Sequence, residues 1–353
     1  MTVLEINLAT GWRGGERQTF YNMLGLRDAG VIVHLACLRG STLETNALKA
    51  GFAVTPCTSL LAAVFYLVRI GKQFDFIHAQ NSQILTYCLL TKIFHRTKII
   101  FTRRVNFPQR GFLTKLKYML TDRIVAISQA VKDTLRVFTG RQDIEVISDI
   151  VVHENGPNPD RARTEIAHLN INGQHIIGTV AALSSEKDPM TLLKGIQKLA
   201  EKRSDFCFLH FGAGELEDDV IQKIEELHLQ HRYFLMGFAQ NVEDFYSLFE
   251  VFVMTSTQEG LGSSVLDAFV RKVPVVSTNA GGLKDLLANE RGIACEVGDS
   301  DEIARGIETL LEDKAKKEKY VNNAFDYVCK NHSMQHISEQ YVALMSAMNI
   351  STK

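Results

Sequence analysis

Two carboxylates, Glu259 and Asp267, stand either side of a Gly/Ser-rich run, Glu259-Gly260-Leu261-Gly262-Ser263-Ser264-Val265-Leu266-Asp267. The apolar run Leu248 to Met254 before it reads as a buried strand, and Val265, Leu266 and Phe269 follow at helical spacing. A strand, a small polar loop and a helix N-terminus present unpaired backbone N–H groups and the positive end of the helix dipole, a natural seat for phosphate. Carboxylates beside such a seat accept hydrogen bonds from sugar hydroxyls. The same residues also suit an ordinary strand–loop–helix turn capped by Ser and Gly, and the stretch alone does not separate the two readings.

Other candidates lie where strands are expected to end. They are Gly14-Gly15, Glu186-Lys187, Gly212-Ala213-Gly214, Met236-Gly237-Phe238 and Gly281-Gly282. Each has a plain alternative. Glu186-Lys187 suits a solvated pair at a helix start, the glycines suit turn geometry, and His78, with Asp75 upstream, suits a hydrogen-bonded structural histidine. Arg103 and Arg104 close a strand.

These residues are positioned by alternating apolar strands and amphipathic helices. The first half reads as strands at 3–8, 31–37, 52–56, 74–78, 98–102, 123–127 and 145–150, with helices between them. Residues 151–160, with Gly156, Pro157 and Pro159, read as part of a linker. The pattern restarts with strands at 176–181, 206–211, 233–236, 248–254, 273–277 and 292–296, and two terminal helices end near Lys330 and Met348. Alternation at this pace predicts an α/β protein of two Rossmann-like, doubly wound parallel-sheet domains. The expected domains are 1–165 and 166–332, with the helix 333–348 packing back on the first. In such sheets ligands sit at the carboxyl ends of strands, so two facing domains would share a central cleft.

Composition is that of a water-exposed globular chain: 353 residues, 46% hydrophobic, 22% charged. The net charge of −1 hides an asymmetry. Residues 1–168 hold 21 Lys and Arg against 13 Asp and Glu, and residues 169–353 hold 18 against 27. Lys92 to Arg141 alone has twelve basic residues and two acidic ones. That excess suits an anionic partner. The six cysteines show no metal-ligand spacing and read as buried, reduced thiols. Thr2 to Leu8 alternates like a strand rather than a signal peptide, and the longest apolar run, Leu60 to Val68, is too short to span a bilayer. These features predict a cytoplasmic protein, with possible attachment to the inner face of the cytoplasmic membrane.

Taken in order and spacing, the motifs resemble those of the retaining glycosyltransferases of family four, which have the GT-B fold, over nearly the whole chain. The family's E-x7-E motif has the pattern EGFG-S-LEA, and here it reads EGLGSSVLDA. The resemblance implies transfer of a sugar from a nucleotide-sugar, a UDP- or GDP-sugar, to an acceptor hydroxyl without a metal or other cofactor. It gives Glu259 the donor-sugar hydroxyls, Asp267 the ribose and Lys187 the diphosphate. Gly260, Leu261, Gly262, Ser263, Ser264 and Val265 supply backbone donors to the phosphates. Gly14 and Gly15 let the N-terminal loop approach the donor phosphate or the acceptor closely, Gly212 and Gly214 belong to a donor-binding loop, and Gly237 and Phe238 lie near the base. Three departures stand out. Asp267 is one methylene shorter than Glu. Ala181-Ala182-Leu183 replaces a GRL pattern, so a phosphate-binding arginine is missing. No histidine stands near Thr102. Arg13, Arg103 and Arg104 are the candidates to supply the missing charge, and Arg104 joins Glu259 and Lys187 as a candidate catalytic residue.

The basic half fits two partners: an anionic membrane surface through 92–141 with a lipid-linked or lipopolysaccharide-type acceptor, or an anionic soluble glycan. For the membrane, Phe107, Phe112, Leu113, Leu116, Tyr118 and Met119 lie among Arg110, Lys115 and Lys117. The two-domain pattern gives nucleic acid little support. A sugar-nucleotide epimerase of the same architecture and a non-catalytic nucleotide-sugar-binding subunit are the competing readings. The first turn, Ala9 to Glu16, is not GxGxxG, which argues against a dehydrogenase.

Overall fold

Central strands that are apolar on both faces need helices on both sides, and the chain supplies them. The computed structural model describes residues 1–12, 14–152, 158–171, 173–239 and 241–350. Its contacts divide the chain into two compact units, Met1–Ile150 with the chain from Asn331 onward, and Val151–Lys330.

Unit 1 alternates β1 (Thr2–Asn7), α1 (Gly14–Asp28), β2 (Ile32–Leu38), α2 (Thr42–Lys49), β3 (Ala53–Cys57), α3 (Leu60–Ile70), β4 (Phe76–Ala79), α4 (Ser82–His95), β5 (Lys98–Arg103), α5 (Phe112–Met119), β6 (Arg123–Ala126), α6 (Gln129–Thr139) and β7 (Ile144–Val146). The strands form one parallel sheet in the order β3-β2-β1-β4-β5-β6-β7. Helix starts follow local chemistry. Ser59, Asn81 and Ser128 accept from the N–H groups of Ala62, Ile84 and Val131, and Gly140 at φ 79° ends α6.

Unit 2 contains α7 (Pro159–Ile166), β8 (His175–Val180), α8 (Pro189–Ala200), β9 (Phe206–Phe211), α9 (Glu217–Glu226), β10 (Tyr233–Gly237), β11 (Val251–Met254), α10 (Ser263–Val270), β12 (Val275–Thr278), α11 (Leu283–Leu287), β13 (Ile293–Cys295), α12 (Ser300–Glu312) and α13 (Lys314–Asn331). Its parallel sheet runs β10-β9-β8-β11-β12-β13. Phe206, Phe208, Val251 and Val253 meet Leu193, Ile196, Ile303 and Ile307 in its core.

Helix α14 (Met334–Ile350) returns to unit 1 and packs on α1. Gly25 makes room for it, since a Cβ there would lie 2.0 Å from Ser338 Oγ. Tyr341, buried, hydrogen-bonds with Thr102 (3.0 Å).

Three details differ from the sequence reading. The first domain was expected to run to 165, yet the chain passes to unit 2 at Val151, because α7 packs on the 3-10 turn Val242–Leu248. Asn158 N–H donates to Asp244 (2.8 Å), and Arg161 pairs with the same carboxylate. Second, the strand expected from Leu248 begins only at Val251, since Leu248 closes that 3-10 turn. Third, Cys329 is exposed, although all six cysteines were expected to be buried. Gly156 and Pro157 of the expected linker lie outside the described residues.

Candidate active site

In unit 2, β8 and β11 are neighbours in the sheet, while β9 and β12 lie on their outer sides. The connections therefore leave in opposite directions, which opens a crevice at the carboxyl ends of β8 and β11. The loops after these two strands carry Lys187 and Glu259.

Lys187 ends a 3-10 turn, Ser185–Lys187, and Asp188 follows at φ 46° to cap α8 through Thr191 N–H (3.1 Å). This turn is tied to the loop after β11. Thr255 Oγ1 donates to the carbonyls of Lys187 and Asp188 (3.0 Å each), and Thr257 N–H donates to the Glu186 carbonyl (2.8 Å). The clamp brings Lys187 Nζ onto the carboxylate of Glu259 as an ion pair, with the side chains 21% and 15% exposed. Ser256 Oγ lies 3.4 Å from the same carboxylate oxygen.

Close backbone approach sets the rest of the crevice. Gly282 N–H donates to the Glu259 carbonyl (3.1 Å), and a Cβ at Gly282 would stand 2.4 Å from the Gly260 carbonyl oxygen. Gly212, at φ 144°, would place a Cβ 1.9 Å from the Ala181 carbonyl oxygen, and Gly214 one 2.2 Å from that of Leu183. The loops after β8 and β9 are thus pressed together. His210 braces them from below: its Nε2 donates to the Ala181 carbonyl (3.1 Å) and its Nδ1 accepts from Tyr233 OH (2.6 Å). Burial pushes the His210 pKa down to about 4, so the ring is neutral.

Helix α10 opens at Gly262, φ 100°, with no side-chain cap. The N–H groups of Ser263 and Ser264 precede its first i to i−4 bond, from Leu266 to the Gly262 carbonyl, and so point out of the first turn. Ser264 Oγ is engaged with the Val180 carbonyl (2.8 Å), and Leu261 and Val265 are buried. These positions can therefore offer a ligand backbone groups rather than side chains. Asp267 lies one turn along α10 and pairs with Arg271 (3.6 Å), whose guanidinium sits over Tyr246 (5.4 Å). Gly237, φ 65°, ends β10, its carbonyl accepting from Gly212 N–H (2.8 Å), and Phe238 is 77% exposed. Among the described residues, no cluster of three or more His, Cys, Asp or Glu is placed to hold a metal.

In unit 1 the ends of β1, β4 and β5 carry a buried polar network. His78 Nδ1 donates to Glu5 (2.8 Å), its Nε2 hydrogen-bonds with Thr102 (2.7 Å), and Gln80 Nε2 donates to Glu5 (2.6 Å). Arg104 donates to Gln80 Oε1 (3.2 Å) and forms an ion pair with Asp149, whose pKa burial raises and Arg104 lowers. Arg103 turns inward, donating to Tyr118 OH (3.0 Å) and the Phe107 carbonyl (2.9 Å). Gly14 and Gly15 open α1, and a Cβ on either would meet nothing within 4 Å.

The sequence matches the family described as Glycosyltransferase Family 4 over residues 12–155 and the one described as Glycosyl transferases group 1 over residues 160–327. The chain belongs to the family-four glycosyltransferases. The lipopolysaccharide core biosynthesis glycosyltransferase LpsE of Rhizobium meliloti (strain 1021) is 23% identical over 66% of this chain and 67% of its own length. The 2-deoxystreptamine glucosyltransferase of Streptomyces kanamyceticus is 29% identical over 49% of this chain and 46% of its own length. The chain thus spans from about half to two thirds of these curated relatives. The crystal structure of Anabaena Alr3699/HepE in complex with UDP and glucose superposes with a TM-score of 0.85 at 19% identity, covering 98% of this chain and 100% of that one. At that identity the likeness establishes the fold, GT-B, with its two Rossmann-like domains.

Within this glycosyltransferase, the structure brings together Lys187, Glu259, Gly260 to Val265, Gly212, Gly214 and Gly282. Asp267 sits beside them but is engaged with Arg271. Of the three arginines considered for the missing phosphate cation, Arg103 is buried and structural, Arg104 is neutralised by Asp149, and Arg13 lies outside the described residues. His78 is a hydrogen-bonded core histidine. Sequence reasoning missed Thr255, His210 and Arg271. Only Arg271 left a signal, its i+4 spacing from Asp267 on a helix.

Proposed function

We propose that this glycosyltransferase moves a sugar from a nucleotide-sugar, a UDP- or GDP-sugar, to a hydroxyl of a lipid-linked or lipopolysaccharide-type glycan, with retention at the anomeric carbon. One observation carries the donor half: Lys187, Glu259 and the open first turn of α10 converge at the topological switch point of unit 2. A cation and a helix N-terminus together suit a diphosphate, which must be held as negative charge develops on it when the sugar leaves. In this reading Lys187 gives up Glu259 for a phosphate oxygen, and Glu259 turns to the donor sugar's hydroxyls. Ser263 and Ser264 N–H groups take the remaining phosphate oxygens, and Asp267 takes the ribose. Gly237 and Phe238 lie by the base. The leaving diphosphate accepts the acceptor's proton, so the scheme asks for no metal and no separate base. Gly14 and Gly15 let the start of α1 come close to substrate.

For the acceptor, the name of the Rhizobium relative supports a lipopolysaccharide-type glycan. The basic, apolar surface of unit 1 supports attachment to an anionic membrane on its cytoplasmic side. No helix of the described residues is long and apolar enough to cross a membrane. A thermal-shift panel of UDP, GDP, ADP and CMP, each with its sugars, tests the donor. Stabilisation by UDP or GDP and release of that diphosphate from its sugar are expected, and no response to any would overturn the reading.

A further inference from the structure

Helix α3 packs on α4, and α4 on α5. The face they form turns large apolar side chains to water: Leu61 and Phe65 (79% and 68% exposed), Leu90 and Ile93 (66% and 74%), Phe112 and Leu113 (77% and 79%). Between α4 and α5 runs a groove of about 410 Å³, lined chiefly by Leu89, Leu90, Leu113, Leu116 and Leu120. Apolar surface on this scale marks an interaction site.

Charge identifies the partner. None of the three helices contains an acidic residue. Much of the basic excess of this region is paired internally, Lys92 with Asp122, Arg104 with Asp149, and Arg123 and Arg141 with Asp143, while Lys117 keeps its charge and donates to Ser82. Arg69, Lys72, Arg96, Arg110 and Lys115 are exposed, with no ion-pair partner among the described residues. Cations around leucine and phenylalanine side chains complement an anionic interface with hydrocarbon beneath it. They oppose self-association, because two copies of this face would set like charges together. Tyr118, expected from the sequence among the docking residues, is instead buried beneath α5 and stacks on Phe101 (5.6 Å).

We propose that the α3–α4–α5 face lies on an anionic phospholipid bilayer and that the α4–α5 groove takes one acyl chain of a membrane phospholipid. This deepens the membrane part of the proposed function and does not depend on its donor chemistry. It adds α3, which lies before the basic stretch, and a seat for a single chain.

The test uses the full chain with vesicles of phosphatidylglycerol or of phosphatidylcholine, measured by co-sedimentation. Binding is expected to phosphatidylglycerol only, and to weaken in high salt. Arg110→Gln with Lys115→Gln should lower the partition coefficient by roughly fivefold per cation. Leu90→Gln with Leu113→Gln should lower it by about tenfold or more. All four positions are exposed, so the fold should be preserved, and an unchanged thermal unfolding midpoint in the same variants checks this. Tryptophan introduced as Leu113→Trp should be quenched by phosphatidylglycerol brominated on its acyl chains, while Trp12 in the natural chain should not. No vesicle binding at low salt, binding unaffected by the leucine substitutions, an unquenched Leu113→Trp, or a dimer that these substitutions dissociate would each overturn the proposal. If UDP fails to stabilise the natural chain while vesicles still bind, the donor reading fails and this one stands.

Discussion

Lys187 and Glu259, 72 residues apart in sequence, meet as an ion pair at the carboxyl ends of two adjacent strands. Each side chain is mostly shielded from water, so each partner holds the other in place until a ligand competes. A diphosphate is a stronger partner for the ammonium than one carboxylate, and a sugar's hydroxyls can satisfy the carboxylate that is released.

Lys187→Ala should weaken UDP binding by about 10- to 100-fold, the range expected for loss of a charge-assisted hydrogen bond. Glu259→Gln should leave UDP affinity near that of the natural chain while cutting sugar transfer. Calorimetric titration with UDP beside a transfer assay separates the two. Equal losses of UDP affinity in both variants would contradict the division of roles.

Asp267→Ala is expected to weaken UDP binding by about tenfold and to abolish any preference for UDP over its 2′- and 3′-deoxy analogues. Asp267→Glu should keep the preference. Unchanged binding in the alanine variant would remove Asp267 from the ribose.

The glycines divide into two kinds. Gly282→Ala and Gly212→Ala force a Cβ against backbone oxygen and should lower stability by about 1–3 kcal/mol or more. Gly14→Ala and Gly15→Ala meet open space at the start of α1 and should leave stability unchanged or raise it by up to about 1 kcal/mol. If substrate approaches there, the second pair loses transfer activity at full stability. Urea unfolding and initial rates on all four variants distinguish the cases.

His210 has its pKa depressed from 6.5 to about 4, so the unfolded chain binds more protons between those values. Stability is therefore whole above about pH 6.5 and falls as pH drops towards 4, by roughly 3 kcal/mol in total from this residue. His210→Gln, which keeps a donor towards Ala181, should flatten that limb of the stability–pH profile. An unchanged slope would show that another group titrates there.

The alternation of apolar strands and amphipathic helices made both sheets legible in sequence, because parallel strands buried on two faces cannot be polar. The loop from Glu259 to Asp267 was legible for a similar reason, since a helix N-terminus after a buried strand leaves a fixed pattern of Gly and Ser. Helix α7 overlaps the expected linker at Pro159 and Asp160 and has no counterpart among the expected elements, although Asn158 and Pro159 form a cap and first turn, because it is short and its partner is a 3-10 turn distant in sequence. The fates of the arginines were not legible. Arg110 has no ion-pair partner among the described residues, whereas Arg104 is held by the buried carboxylate of Asp149, which no local pattern connects to it. The role of His210 was hidden for the same reason, since Ala181 and Tyr233 are its partners only through the sheet.

Helix α14 has a consequence for synthesis. The N-terminal unit is built from both ends of the described chain, and unit 2 is a contiguous insertion between them. On the ribosome, unit 2 can close as soon as α13 has emerged, while its predecessor waits with α1 uncovered and Thr102 lacking Tyr341. The part made first is finished last, and a chaperone that recognises exposed apolar helix would find it throughout that interval.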